Sequence, residues 1–395
     1  MRPGIRTASW IGGILALCAA GAVVTRAVTR ARAEANRSAR GETRLEILNR
    51  TGATVSLYRA AQTLDDARPV NLGPNESWLP AGSYFVEARA GQKLWFYPVS
   101  LAGFEKGRVS GETFTITVRS PGTTDPPLPP GCVSGFAFIP AGSFLIGDRK
   151  NPLEPHFAWT TSFHFGSFEV TNGEFRRFLV HPAGYADREN WTEAGWAARN
   201  PSTLSTARLT PADADYLRFG RDDLPVVLVS WFEANAYGRW LTRTLGKGRW
   251  LYRMPTEGEW EKAARGPDGF DYGLGMELSE PQMRLYNWKK NPEVEVTLVG
   301  AGETPARYRA NRFGVYHASG NAGEWTQGVS RPYGRMAPYR DDDRNRDDAP
   351  GLRVTRGGSW YSATVSRLAL AYREEFQPEL LSNDVGFRVA AFALP

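Results

Sequence analysis

A short polar and aromatic stretch near the end of the chain holds the side chains best suited to chemistry. The run "RGGSWYS" brings Ser359, Trp360, Tyr361 and Ser362 together, and Arg373 follows shortly after. Hydroxyl and guanidinium groups can bind or activate a polar substrate when they converge in a concave pocket. The two aromatic rings would instead form a binding surface if they are exposed. We take these five residues as the candidate pocket, with a catalytic and a binding role both open.

A second group is a set of carboxylates in "MPTEGEWEKAARG", namely Glu257, Glu259 and Glu261. A pair of carboxylates can divide general acid and general base work between its members. Glu259 also follows Thr256 at the spacing of a capping box, which marks the start of a helix. We therefore interpret Glu259 as structural.

The loop "YRDDDRNRDDAPG", residues 339–351, offers Asp341, Asp342 and Asp343 to a cation. Its aspartates lack the spacing of an EF-hand, and arginines stand among them. We expect a solvated loop that its own arginines neutralise.

Histidine and cysteine are too few for the usual metal and redox sites. The spacing of the histidines shows no facial triad, and we expect each to be a hydrogen-bonded structural residue. Cys18 lies in the leader, so the body holds only Cys132 and can form no internal disulfide. The histidines are His156, His164, His181 and His317.

Charge and missing motifs exclude several classes of protein. The formal net charge is +6, but residues 1–42 hold seven arginines against two glutamates, which leaves the rest of the chain nearly neutral. The high isoelectric point therefore reports a basic leader and not a nucleic-acid surface. The sequence contains no nucleophile elbow, P-loop or dinucleotide fingerprint. We expect no nucleic-acid partner.

The leader contains an uncharged run from Ala8 to Val24, with arginines on both sides. This run is shorter than the ~20 apolar residues of a usual spanning helix, so a signal peptide and a short signal anchor both remain open. The arginines after the run oppose export of the chain beyond them. An apolar N-terminus ahead of globular domains nevertheless favours export. We expect a body outside the cytoplasm, in the periplasm or at the cell surface, that is membrane-anchored or exported.

Residues 43–119 alternate polar and apolar side chains in short runs, separated by turn signals such as "NRTG" and "PAG". This spacing predicts a small antiparallel β-sandwich, which we interpret as a spacer or adhesion module. Residues 120–131, "SPGTTDPPLPPG", predict a stiff proline-rich linker. The domain boundary is placed there, and residues 132–395 form the second domain.

Three helices are predicted in the second domain from their capping residues. Thr171, Ser230 and Thr256 each stand where a side chain can cap a helix start, and Gly246 and Gly266 stand where two of the helices end. Many glycines, prolines and tryptophans favour packed rings in a loop-rich frame.

Seven motifs then occur in a familiar order: "IPAGSFLIGD", "FEVTNGEFRRFL", "LPVVLVSWFEANAYGRWL", "MPTEGEWEKAARG", "FGVYHASGNAGEWT", "RGGSWYS" and "NDVGFRVA". Their order resembles the formylglycine-generating enzyme family, also called sulfatase-modifying factors, over about residues 132–392. The resemblance implies an α+β fold that is related to C-type lectins and poor in regular structure.

The resemblance also implies a copper site, which this sequence does not provide. The founding enzymes oxidise a sulfatase cysteine with a copper ion held by two cysteines just after the Gly-Gly-Ser motif. Here Ser362 stands at the first position, and Val365 or Ser366 stands near the second. Hydroxyl and methyl groups cannot replace the thiolates that copper(I) prefers. We expect neither copper nor formylglycine generation by the known mechanism.

The calcium loop of the family would fall on His317, Gly320, Ala322 and Glu324, and Asn287 matches one ligand of a second calcium site. Imidazole is a poor ligand for a hard cation that takes oxygen donors. We therefore expect no bound cofactor, with calcium at Gly320, Ala322, Glu324 and Asn287 as the open alternative. Within the same loop Gly323 replaces a tryptophan on the pocket side, which opens or reshapes the cleft.

Three function classes remain from the sequence. The first is a non-catalytic binding or scaffold protein of the bacterial envelope, a pseudoenzyme whose lectin-like cleft holds a protein, peptide or glycan. The second is an enzyme of the same fold with altered, copper-free chemistry, either an oxidoreductase or a maturation factor. The third is a structural spacer. Convergent polar groups at the base of a pocket would favour the enzyme, and exposed aromatic rings would favour the binding protein.

Overall fold

The computed structural model describes residues 42–60, 62–70, 77–80, 82–91, 93–101, 113–118, 126–128, 135–151, 155–278, 286–288, 298–301, 308–334 and 339–395. The apolar leader, most of the linker and Cys132 lie outside these residues, so our expectations for them stay predictions. No helix in the described part of the chain combines the length and apolar character needed to cross a membrane.

The N-terminal part is built from strands, as its alternating pattern predicts. Its sheets have the strand orders β4-β1-β7 and β3-β2-β5-β6, and the pairs β1–β4, β2–β3 and β2–β5 are antiparallel. A 3₁₀ turn, Leu64–Asp66, joins β2 to β3. The strands are β1 (Glu42–Asn49), β2 (Thr54–Arg59), β3 (Arg68–Val70), β4 (Ser77–Pro80), β5 (Gly82–Ala90), β6 (Lys93–Leu101) and β7 (Thr113–Val118).

The described residues divide into two compact units. Among the described residues, one unit holds the sheet of β1, β4 and β7. The other holds residues 49–70 and 83–100 together with the chain from residue 118 onward. The sheet of β2, β3, β5 and β6 therefore belongs to the same compact unit as the C-terminal fold. Alternation identifies strands, but it does not identify the surface against which a strand packs.

The C-terminal part is a mixture of small sheets. Their strand orders are β10-β9, β12-β17-β11-β8 and β15-β14-β13-β16. Strands β13 and β16 run parallel, while the other pairs in these sheets are antiparallel. The strands are β8 (Phe136–Ile139), β9 (Gly142–Ile146), β10 (His156–Thr160), β11 (Phe163–Gly166), β12 (Trp250–Arg253), β13 (Gly323–Val329), β14 (Arg353–Arg356), β15 (Glu374–Phe376), β16 (Val385–Phe387) and β17 (Ala390–Ala393).

The three predicted helices are present, and each predicted cap is confirmed. They are α1 (Asn172–Val180), α3 (Trp231–Leu241) and α4 (Glu257–Arg265), and the shorter α2 spans Glu193–Ala198. Thr171, Ser230 and Thr256 each accept a hydrogen bond from the third helical residue in a reciprocal capping box. Gly266 ends α4 at a φ of 66°, which glycine adopts without strain. Helix α3 ends at Leu241, ahead of Gly246, because a π turn over Thr242–Gly246 follows it.

The C-terminal fold is an α+β structure, as expected, with aromatic side chains at its centre. Helices α1 and α3 bring Phe175, Phe178, Tyr237 and Trp240 into one buried cluster against β16 and β17. Helix α4 packs on the other side against β9, β10, β13 and β14. This helix carries Glu257 and Glu261, so its packing decides where those carboxylates lie.

Candidate binding cleft

The turn that carries the candidate serines is closed by their own hydrogen bonds. The Ser359 amide donates to Ser362 Oγ at 2.9 Å, and the Ser362 amide donates to Ser359 O at 3.2 Å. Ser359 Oγ donates to Asp384 Oδ2 at 2.7 Å and accepts from the Tyr361 amide. Both serines are buried. In the described structure neither hydroxyl contacts a histidine or lysine that could remove its proton, so these groups hold the turn.

The two candidate aromatic residues behave differently from each other. Tyr361 is 59% exposed, as a binding surface requires. Trp360 is only 5% exposed and packs in a cluster with Phe219 and Ala322, so its ring does not form part of an exposed binding surface. The Trp360 amide donates to Asn321 O at 2.8 Å, which draws this residue inward and leaves its neighbour outside.

The positions of the copper cysteines are not equivalent in this fold. Ser362 is buried, whereas Ser366 lies exposed on a 3₁₀ turn, Val365–Leu368, and its hydroxyl shares a 2.9 Å hydrogen bond with Thr364. Neither position offers a sulfur ligand, and the Ser362 oxygen already accepts a backbone N–H. The residues present do not fit a copper(I) ion.

A cleft of about 430 Å³ opens beside Ser366 and Arg373. Its volume lies in the range of ~300 to 1,000 Å³ that is usual for ligand sites. It therefore contains one of the five candidate pocket residues, Arg373, while the serine turn is not part of its lining. Its walls are formed by Asp148, Lys150, Asn151, Asp271, Tyr272, Ser366, Ala369, Ala371, Tyr372, Arg373 and Glu375.

Arg373 is held rigidly at the wall of this cleft. Its Nε and Nη2 donate to the two carboxylate oxygens of Glu257 at 2.6 and 2.9 Å, and Nη2 also donates to Arg331 O. The guanidinium lies 4.7 Å from the centre of the Tyr333 ring. Burial lowers the pKa of Arg373, but the charge of Glu257 raises it above its ordinary value, so the side chain stays charged. In the described structure Nη1 has no hydrogen-bond acceptor, which leaves this nitrogen for a ligand.

The pairing of Arg373 continues under the cleft as a chain of alternating charges. Glu257 lies 3.7 Å from Arg356, which also pairs with Glu261. Glu261 accepts from Arg265 at 2.8 Å, and Arg265 reaches Asp271 at 2.7 Å. This chain runs from Arg373 to Asp271, and both of its ends line the cleft.

The alternating chain is buried, so its charges depend on each other. Burial alone would raise the pKa of Glu261, but Arg265 and Arg356 hold it below its ordinary value. Removing one member would leave an opposite charge buried without compensation. The chain therefore holds Arg373 and Asp271 in place at the cleft wall before any ligand binds.

The three carboxylates of α4 thus have structural roles. Glu259 completes the capping box and pairs with Arg253 through both oxygens, at 2.7 and 2.8 Å, so its structural interpretation is confirmed. Glu257 and Glu261 face arginines and are not paired with each other for acid and base work.

The acidic loop is neutralised by arginines, as expected. Asp342 pairs with Arg344 at 2.9 Å, and Asp343 pairs with Arg331 at 2.7 Å. Asp341 accepts from the side-chain amide of Asn345.

His156 also has the structural role expected of it, because its Nε2 accepts the Tyr339 amide at 2.6 Å.

The loop at which calcium was the open alternative is organised by internal partners. Glu324 is buried and accepts from Arg388 at 2.7 and 3.0 Å and from Trp260 Nε1 at 2.7 Å. Its negative charge is therefore met by an arginine. Burial raises the pKa of Glu324 even though Arg388 acts against it.

Other side chains in and beside this loop also have partners within the protein. His317 contacts Glu169 through Nδ1 at 3.3 Å, and the side-chain amide of Asn287 donates to Asn321 Oδ1 at 2.9 Å. His317, Gly320 and Asn321 all have positive φ values, which turn the backbone sharply here. The imidazole of His317 is a poor ligand for a hard cation, and the Glu324 carboxylate is already paired with Arg388. In the described residues no group of three or more His, Cys, Asp or Glu side chains is arranged to hold a metal.

Comparison with known proteins now places the chain. A family model for the sulfatase-modifying factor enzyme 1-like domain matches residues 126–393. The chain belongs to this family. The expected α+β family fold is also confirmed: PvdO from Pseudomonas aeruginosa has a TM-score of 0.50 at 22% identity over 69% of this chain and 99% of that one.

Relatives within the family differ in activity. The chain is 30% identical to the formylglycine-generating enzyme of Streptomyces coelicolor, over 70% of this chain and 96% of that one. It is 31% identical to the hercynine oxygenase of Mycolicibacterium thermoresistibile, over 60% of this chain and 55% of that one. It thus spans about half the length of that oxygenase. It is 29% identical to the inactive C-alpha-formylglycine-generating enzyme 2 of Mus musculus, over 65% and 85% of the two chains.

Sequence reasoning missed most of the cleft. Three separate segments of the chain supply Asp148 with Lys150, Tyr272, and Tyr372, so their convergence carried no signal along the chain. Two lining residues had been singled out in the sequence: Arg373 as a pocket candidate, and Ser366 near the second copper-cysteine position.

Proposed function

We propose that this protein is a copper-free, non-catalytic member of the family that binds a short segment of a partner polypeptide in the cleft. This proposal rests on the residues that occupy the positions of the family's copper cysteines. The positions of the copper cysteines hold no thiolate: Ser362 is buried in its own turn, and Ser366, which with Val365 stands near the second position, pairs with Thr364. A cleft remains beside them with its polar groups fixed by ion pairs.

A polypeptide segment suits the chemistry of this cleft. Lys150 and Arg373 offer positive charge, while Asp148 and Glu375 offer negative charge on the same walls. Tyr272 and Tyr372 add ring surface between these groups. A peptide presents backbone donors and acceptors together with side chains of either charge, and the founding enzymes of the family act on a protein. A glycan or another small ligand is the alternative. A peptide screen that enriches cleft-binding peptides argues against it, and a screen that enriches none leaves it open.

An enzyme with altered chemistry is the second candidate, and the concave shape of the cleft favours it. Polar groups do converge on its walls, which is the feature expected of a catalytic pocket. Arg373 and Asp271, however, are each engaged in ion pairs. Ser366, the hydroxyl on the wall, hydrogen-bonds another hydroxyl and no base. The shape of a catalytic pocket is therefore present without a nucleophile and base in contact.

In this binding role the body lies outside the cytoplasm, tethered or exported by the apolar run at residues 8–24. The pattern of that run and its flanking arginines is the support for this placement. Fusion of a periplasmic reporter enzyme to the C-terminus of the full chain tests it. Activity of this reporter supports an extracytoplasmic body. An inactive periplasmic reporter, together with an active cytoplasmic reporter fused at the same position, would reject the placement.

The binding proposal is tested by peptide display against the purified full-length chain and two matched variants. Ser366→Trp fills the cleft from its wall, and Thr364→Trp places the same ring on the exposed hydroxyl partner that does not line the cleft. Both substitutions remove the same hydrogen bond. Peptides that bind the wild type and Thr364→Trp but not Ser366→Trp support the proposal. Absence of enriched peptides, or equal binding to all three proteins, would reject the cleft as a peptide site.

The selected peptides also test the non-catalytic part. Each is incubated with the protein, oxygen and copper, and its mass is measured afterwards. An unchanged mass supports a binding protein. A change in mass that requires the wild-type cleft would establish the enzyme alternative.

A further inference from the structure

A short segment of the N-terminal region reaches the wall of the cleft. We name residues 62–66 the brace; they follow β2 and include the 3₁₀ turn Leu64–Asp66. Thr63 forms an antiparallel bridge with Gly275, and the Met276 amide donates to Gln62 O at 2.9 Å. The brace thus extends as a strand-like partner along residues 275–276, which come directly after the cleft residues Asp271 and Tyr272.

The apolar side chain of the brace packs beneath the same wall. Leu64 lies against a buried cluster that includes Tyr272, Leu274 and Leu368, and Ala369 packs on that cluster too. Tyr272 and Ala369 both line the cleft. Leu64 therefore supports the two segments that form this side of the cleft.

Polar contacts fix the other face of the brace. Asp65 accepts from Arg309 through both carboxylate oxygens at 2.7 and 2.9 Å, and Arg309 holds the pKa of Asp65 below its ordinary value. Leu64 O accepts from Arg312, whose guanidinium also lies 4.8 Å from the centre of the Phe85 ring in β5. Arg312 in turn donates to Asp268 Oδ1 at 3.0 Å, three residues before Asp271.

We propose that the brace positions the cleft wall, so that the N-terminal sheet of β2, β3, β5 and β6 is part of the binding machinery. Leu64 and Asp65 are positioning residues in this sense: they act through the segment 268–276 and touch no ligand themselves. A hydrogen bond links that segment to the second segment on this side of the cleft, because the Leu370 amide donates to Asp271 O at 2.8 Å. A displacement of the brace would therefore also displace residues 369–373.

This coupling would give the N-terminal sheet a function that a simple spacer does not have. Because linkage is reciprocal, a partner that binds or pulls the N-terminal sheet changes ligand affinity in the cleft by the same factor by which the ligand changes attachment of the sheet. The N-terminal sheet then serves as an input to the cleft.

Amide hydrogen exchange of the full-length chain tests this inference without any ligand, so it succeeds or fails separately from the peptide proposal. The reporters are the amides of Tyr272 and Leu370, which bond Gly275 O and Asp271 O. The Val226 amide, which bonds Val170 O, is the reference in the C-terminal core. The variants are Leu64→Ala and Asp65→Asn, with Leu94→Ala on β6 as the control because Leu94 is 40% exposed.

Leu64→Ala is expected to raise exchange at Tyr272 and Leu370 by about tenfold or more while Val226 stays unchanged, since the local segment opens without global unfolding. Asp65→Asn is expected to raise the same two rates by a smaller factor, because its ion pair is exposed. Leu94→Ala should change none of the three rates. Unchanged rates at Tyr272 and Leu370 in Leu64→Ala would overturn the inference. An equal rise at all three amides would also overturn it, because Leu64 would then support only the fold as a whole.

Discussion

Arg373 and Glu257 meet through two parallel hydrogen bonds of 2.6 and 2.9 Å, although 116 positions of chain separate them. The arginine comes from the segment before β15, and the glutamate comes from the first turn of α4. Their pairing orients a guanidinium along the cleft wall with Nη1 left for a ligand. It also explains why a carboxylate that invites a catalytic interpretation in the sequence is structural in the fold.

Replacing Glu257 by Gln should destabilise the protein by roughly 3 kcal/mol, because Arg356 and Arg373 would both lose a buried partner. Urea unfolding of wild type and variant measures the difference in unfolding free energy. The matched control is Glu193→Gln, whose carboxylate is 91% exposed and pairs with Arg188. That control should stay within about 0.5 kcal/mol of the wild type. Equal effects of the two substitutions would show that the alternating chain does not stabilise the fold.

A side chain at Gly323 should be accepted, in contrast to one at Gly386 on the adjacent strand. A Cβ at Gly323 meets Asp384 O at 3.5 Å, which is an ordinary contact, whereas a Cβ at Gly386 falls 2.4 Å from Val226 O. Gly323→Ala should therefore change the melting temperature little, and Gly386→Ala should lower it strongly through a backbone clash. Thermal unfolding followed by circular dichroism decides this. Strong destabilisation by Gly323→Ala would mean that the space left by the family tryptophan has closed.

Stability should depend on pH through Asp268. Burial raises the pKa of this carboxyl to about 6 although Arg312 acts against it, and Oδ2 has no hydrogen-bond partner in the described structure. A raised folded pKa means that the folded state binds the proton more tightly, so the contribution is complete below about pH 4 and is lost as pH rises through 6.

The measurement for Asp268 compares the wild type with Asp268→Asn, whose amide does not titrate. Between pH 4 and pH 6.5 or so, the unfolding free energy of the wild type should fall relative to the variant by on the order of 2 kcal/mol. Guanidinium unfolding at several pH values gives this difference. A difference that stays constant or rises with pH would contradict the assignment.

Removal of divalent cations by a chelator should not change the stability of the fold, because the Glu324 carboxylate is already paired with the guanidinium of Arg388. The melting temperature of the full-length protein should be the same with excess EDTA and with excess calcium, since only a ligand that binds the folded state raises it. Metal analysis after dialysis should likewise find no stoichiometric copper or iron. Arg388→Met is the positive control, since it strands the buried Glu324 and should unfold the protein at a lower temperature. Stabilisation by calcium would return the loop to a metal-binding role.

The local elements of this protein could be predicted because their signals are local. Thr171, Ser230 and Thr256 stand immediately before apolar periodic stretches, and each capping box involves residues only three positions apart. The strands of the N-terminal part follow from alternation in the same way. The absence of thiolate ligands was equally accessible, because the residue types at positions 362–366 fix the nature of the ligand atoms.

The candidate site was only partly predictable. Arg373 lines a cleft, but Trp360 is buried, and its amide bonds Asn321 O in a contact between distant segments. Nothing in the neighbourhood of Leu64 along the chain indicates that it packs against Tyr272 and Leu368.

The sequence by itself determined the family, the helix caps, the strand pattern and the absence of thiolate ligands, since each rests on residue types or on spacings within one element. Only the tertiary structure decided that Glu257 pairs with Arg373 and that Arg388 pairs with Glu324. It also decided that the sheet of β2, β3, β5 and β6 shares a compact unit with the cleft. The physical reason is that such pairings depend on how separate elements pack. A charge or an apolar side chain can meet many partners of suitable chemistry, and packing selects one of them.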